Sequence, residues 1–195
     1  TSQHGTHRMI PIGDSARSRR LPFVNYAFIL INVAVFLYSL SLAQLPSGTP
    51  KEQLRAFEIQ RDTLCYGHPA APDEIDEFFC RWSFQPGEWF DNVRGEATVG
   101  PGRDLAVLIT VITSVFLHAG WLHIGGNLLF LWVFGDNVED RLGHTGYALF
   151  YLAGGLVASV IQGLADPGSV VPVVGASGAV AAVLGAYLVW FPRST

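Results

Sequence analysis

Four stretches of this chain are long and apolar, at residues 21–45, 105–134, 147–164 and 177–191. A helix needs about 20 predominantly apolar residues to cross a bilayer. Half of the 195 residues are hydrophobic (50%), only 14% are charged, and the mean hydropathy is +0.33. An ordinary soluble domain is less apolar than this. The expectation is an all-α fold: a polytopic transmembrane helical bundle with four crossings in this chain, set in a lipid bilayer.

The polar residues between the apolar stretches organise the rest. Residues 1–20 carry Arg17, Arg19 and Arg20, and residues 1–8, ahead of the only methionine, read as a tag or upstream sequence. Segment 21–45 exceeds the 7–15 residues of a signal-peptide core, and more apolar segments follow, so it reads as a retained helix. Asn25 and Asn32 are seven apart within it. They share one helix face, expected to meet other helices. Residues 46–104 form a long hydrophilic loop, acidic yet rich in Phe and Trp, that reads as structured and extracytoplasmic, with short helices at the membrane interface. It holds Cys65 and Cys80, either as a disulfide or as two free thiols. The first dozen residues of segment 105–134 are expected near the outer interface, with the second crossing, His118 included, after them. Residues 135–146 read as a short polar loop with Arg141, and 166–172 as a turn without Lys or Arg. Arginine-bearing segments thus alternate with segments expected outside, which puts the N-terminus in the cytoplasm.

Several classes of function lose support at this stage. The formal net charge is −4 and no Lys/Arg cluster lies beyond the N-terminal segment, which argues against nucleic acid as a partner. Neither Cys-x-x-Cys nor His-Glu-x-x-His occurs, so no metal or other cofactor is implied.

The chemistry concentrates at Gly175-Ala176-Ser177-Gly178. A serine between glycines has room for a sharp turn, an approaching substrate backbone and an oxyanion. Ser177 opens the fourth segment at its expected outer end. His123 and Asn127, four apart and so on one helix face, lie in the second segment, which runs inward. Counted from the inner ends of the two segments, His123 and Ser177 differ in depth by only ~5 Å. Polar groups at such depth are costly and point to function. A histidine, an asparagine amide and the Ser177 backbone N–H suit a developing oxyanion, and His123 could instead serve as general base. His118, five before His123, falls about 140° away on an ideal helix and need not face the same site. Small residues recur every fourth position along the fourth segment, at Ser177, Ala181 and Gly185 and at Gly178, Ala182 and Ala186. Two adjacent faces are therefore thin, ready for close helix packing.

His118-Ala-Gly-Trp-Leu-His123-Ile-Gly-Gly-Asn127, followed by Gly175-Ala-Ser177-Gly178, resembles the rhomboid intramembrane serine proteases over roughly residues 9–195. Val138-Glu139-Asp140-Arg141-Leu142-Gly143 is similar to the family as well. The resemblance implies Ser177 as nucleophile, His123 and Asn127 as oxyanion stabilisers, and His118, Gly175 and Gly178 in support. It implies a catalytic base on a sixth helix, in an Ala-His-x-x-Gly setting. The remaining histidines here are His4, His7, His68 and His144, none placed to serve Ser177. The chain is therefore expected to be an incomplete rhomboid-like membrane domain (21–195), its base histidine beyond Thr195, and inactive alone. It departs from the family's Trp-Arg pair, having Arg81-Trp82, and has Ala181 where an aromatic is usual. The implied function is an endopeptidase whose substrates are transmembrane proteins, in a bacterial inner membrane. The alternative is a non-proteolytic relative that binds transmembrane helices.

Overall fold

The computed structural model describes residues 20–43, 65–66, 74–96 and 105–192. Expectations for residues 1–19 and for the remainder of 46–104 lie outside the described residues. The described chain forms α1 (Phe23–Leu42), α2 (Glu74–Trp82), α3 (Pro86–Arg94), α4 (Leu105–Thr113), a 3₁₀ turn (Ser114–Phe116), α5 (Trp121–Ala165) and α6 (Ser177–Trp190). Among the described residues the extended pairing is one isolated antiparallel bridge, Phe84 with Val173. α1 and α5 are long and apolar enough to cross a membrane; α6, with 14 residues, is shorter than that. The expected third crossing, and the expected second from Trp121 onward, lie within α5.

Gly143 divides α5. It has φ 71° and ψ 164°, a conformation glycine adopts without a Cβ penalty. Leu131 and Tyr147 are sixteen residues apart, about 24 Å along an unbroken helix. Yet both bond the Asn25 side chain, which donates to the Leu131 carbonyl (2.9 Å) and accepts from the Tyr147 hydroxyl (2.8 Å). The chain therefore turns back at Gly143. This corrects the expected loop at 135–146: helix persists to Leu142, resumes at His144, and needs one residue to reverse. The polar residues there do not require a loop, because Asn137 and Glu139 are buried and Glu139 bonds the start of α1.

α1 shows why. It begins after Pro22 with no side-chain cap of its own, so its first N–H groups need partners. Glu139 supplies them: its carboxylate accepts from the Val24 N–H (3.0 Å) and the Asn25 N–H (2.7 Å) and also meets His144 Nδ1 (2.6 Å). Asn25 and Asn32 are both fully buried, on the face that also carries Phe28, Phe36 and Ser39. The seven-residue spacing had marked that face. Phe28 stacks on Tyr151 with centroids 4.3 Å apart, tying α1 to the second half of α5.

α6 packs on that second half through absent side chains. A Cβ on Gly154 would strike Ala182, and one on Gly178 would strike Ala158. The Gly178/Ala182 face is thus covered, as the spacing of small residues suggested. The Ser177, Ala181 and Gly185 face is exposed.

α2 buries Ile75 and Phe79 and places acids in its first turn and Arg81 in its last, which suits the helix dipole. α3 starts on Pro86 and ends on Gly95 in the left-handed conformation. Cys65 and Cys80 form a disulfide, with Cα atoms 5.3 Å apart.

Candidate functional site

The site lies where the N-terminal ends of α5 and α6 meet the 3₁₀ turn. His118 is not on a helix: Leu117–Gly120 is irregular, and α5 begins only at Trp121. The 140° expected between His118 and His123 assumed helix throughout, and that placement is corrected here. Gly120 is extended (φ 178°) and lets the chain fold His118 back over the first turn of α5. The His118 ring then lies 5.1 Å from the His123 ring, nearly edge-on. Its Nε2 is 3.0 Å from Asn127 Nδ2. With the amide donating, Nε2 accepts and the His118 proton resides on Nδ1. His118 is buried, and so is Asn127.

His123 reaches across to the chain before α6. A Cβ at Gly175 would stand 2.5 Å from both Cε1 and Nε2 of His123. Gly175 also has φ 122°, which side chains rarely adopt. Gly175 thus answers two needs, an unusual backbone and the space filled by a histidine ring. Its N–H donates to the Ser114 carbonyl at 2.9 Å, fixing it to the 3₁₀ turn.

Ser177 follows two residues later as the first residue of α6 and is exposed. Ala176 precedes it without a side-chain cap. The first N–H groups of a helix have no intrahelical partner, and the helix end carries partial positive charge. The amides at Ser177 and Gly178 are therefore suited to a developing oxyanion. Beside them lies a cavity of about 340 Å³, bounded by Gly155, Ser159, Gln162, Val174, Gly175 and Ser177 among others.

The structure thus brings His118, His123, Asn127 and Gly175 together, with Ser177 one short turn away and Gly178 closing α6 onto Ala158. Sequence reasoning missed Ser114, whose carbonyl holds Gly175, and Gln162, which lines the cavity. Neither stands in a motif; the signal for Gln162 was a polar residue near the end of an apolar segment. His144 lies instead beside Glu139 at the start of α1. Among the described residues no group of three His, Cys, Asp or Glu could hold a metal ion.

Residues 106–195 match the Rhomboid domain. Rhomboid-like protein 11, chloroplastic, of Arabidopsis thaliana is 38% identical over 91 residues, covering 47% of this chain and 32% of the relative. Rhomboid protein 1, mitochondrial, of Saccharomyces cerevisiae is 37% identical over 90 residues, covering 44% and 26%. Rhomboid protease GluP of Bacillus subtilis is 38% identical over 78 residues, covering 40% and 15%. The chain thus spans a third or less of the length of these relatives. No solved structure matches it significantly. Over residues 106–195, then, what this chain carries is similar to the Rhomboid domain.

Proposed function

We propose that this chain belongs to an intramembrane serine endopeptidase that cleaves transmembrane segments of membrane proteins. The observation that carries the proposal is the seating of the His123 ring on Gly175, two residues before a serine at an uncapped helix start. Ser177 Oγ attacks the scissile carbonyl carbon. Its proton passes to a base, and the carbonyl oxygen becomes an oxyanion held by the Ser177 amide, His123 and Asn127. Collapse expels the amine, which takes the proton from the base. Water then hydrolyses the acyl-enzyme and restores the serine. The base proposed is a histidine not among residues 1–195, as the resemblance implies. The cavity beside Ser177 has room for a small side chain of the substrate. A substrate helix must unwind locally, because its peptide carbonyls are engaged in its own hydrogen bonds.

The same reading carries four crossings, with α6 as the fourth. It has residues 1–20 in the cytoplasm, loop 46–104 outside, and a bacterial inner membrane as the setting. The test is cleavage of a reconstituted transmembrane substrate by the complete protein and its Ser177→Ala variant. Loss of cleavage is expected. Undiminished cleavage would remove serine as nucleophile, whereas substrate binding without cleavage by the unaltered protein would favour a helix-binding relative.

A further inference from the structure

The segment before Ser177 holds itself together poorly. Between Asp166 and Ala176 it bonds to itself through Ser169 N–H to the Asp166 carbonyl (3.1 Å) and Val171 N–H to Ser169 Oγ (3.4 Å). Its position is set from outside. Val173 N–H donates to the Phe84 carbonyl (2.8 Å), Gly87 N–H donates to the Ser169 carbonyl (2.8 Å), and Gly175 N–H donates to Ser114. Two of these three ties come from residues 83–87, the short link between α2 and α3 together with the first turn of α3.

That link is itself built around one polar side chain. Gln85 is 2% exposed. Its Nε2 donates to the Cys80 carbonyl (2.8 Å), and its Oε1 accepts from the Tyr66 N–H (2.8 Å). Tyr66 follows Cys65 directly, so the Gln85 amide spans both sides of the Cys65–Cys80 disulfide. Burying an amide is costly unless both its ends are bonded, and here the disulfide brings the two bonding partners within reach. Next to it, Phe84 is fully buried, its ring seated under Gly163 of α5.

We propose that Gln85, clamped by the Cys65–Cys80 disulfide, is a positioning residue for the reaction at Ser177. It fixes the Phe84–Val173 bridge and so sets the path of the chain through Gly175 to the nucleophile. The inference rests on the reading of Ser177 given above. It makes the reaction rate sensitive to the redox state of a loop far away in sequence. A dithiol supplies the two electrons and two protons that turn the disulfide into two thiols, and itself closes to a cyclic disulfide.

The experiment compares the complete protein, in lipid bilayers, with Gln85→Ala, the double variant Cys65→Ser/Cys80→Ser, and dithiothreitol-treated protein. Glu77→Gln, on an exposed turn of α2, is the control. Displacing a catalytic group by about 1 Å can cost two orders of magnitude in rate. The expected result is a fall in kcat of about tenfold or more with KM within about twofold. Amide exchange at Val173 and Gly175 should accelerate while that of the α5 core does not. Exchange is also measured in the Ser177→Ala background, where no chemistry intervenes. Unchanged exchange at Val173 in all three altered proteins overturns the tether, whatever Ser177 does. Acceleration across the whole protein also overturns it, as general unfolding. Cleavage that survives Ser177→Ala overturns the nucleophile instead and leaves the exchange result to judge the tether.

Discussion

Asn25 is committed at both ends of its amide, to the Leu131 carbonyl and the Tyr147 hydroxyl, with Gly135 leaving it space. Asn25→Ala removes both bonds and leaves the Tyr147 hydroxyl without this acceptor. Interhelical hydrogen bonds in membrane proteins contribute roughly 0.6 to 1.7 kcal/mol each. The expected loss is about 1–2 kcal/mol, read as a lower unfolding midpoint in detergent. Glu139→Ala should cost more, about 2 kcal/mol or above, because it uncaps two α1 amides with charge-assisted bonds. The first of these residues was legible in the sequence and the second was not. Asn25 and Asn32 repeat at seven, which is a helical period visible in a single segment. Glu139 bonds residues 114 and 115 positions away, and no local pattern carries that. His118 illustrates the opposite error, since a helical period was extended through residues that are not helical.

At the level of elements, the fit of α6 on α5 depends on hydrogen atoms where other residues carry methyl groups. Gly178→Val would push a branched side chain into Ala158 and force the helices apart. Overpacking of this kind costs roughly 1–3 kcal/mol, and here it also shifts the start of α6 and with it Ser177. The expected outcome is a lower unfolding midpoint together with lost cleavage. Gly125→Ala, whose Cβ meets nothing within 4 Å, should leave stability unchanged or raise it slightly through helix propensity. A Gly178→Val protein as stable as the parent would show that the interface is looser than described. The thin face was readable because small residues recur every fourth position. Which of the two thin faces would be covered was not, because that depends on where Ala158 and Gly154 stand in space. The reversal at Gly143 was misread for a related reason: a polar stretch looks like a loop until its polar groups are seen to cap another helix.

For the whole molecule, Cys65 and Cys80 are the two cysteines of the chain, which makes them reporters of sidedness. After reduction in intact cells, a membrane-impermeant maleimide should label them, and prior treatment with the same unlabelled reagent should block the signal. Labelling only after the membrane is breached would reverse the proposed topology. The closeness of His123 to the Ser177 segment was anticipated from depth alone, but the Gly175 seat and the Ser114 tie needed the fold. Gly143 has one more consequence. A reversal of one residue leaves no slack, so the two arms of α5 behave like a drawing compass pinned at one end. A spread of about 5° at the pin moves an arm tip some 30 Å away by nearly 3 Å. His123 rides near the tip of one arm, while the other arm leads into the Gly175 segment. Small bending at the far side of the molecule is thereby levered into the gap where the histidine ring now rests.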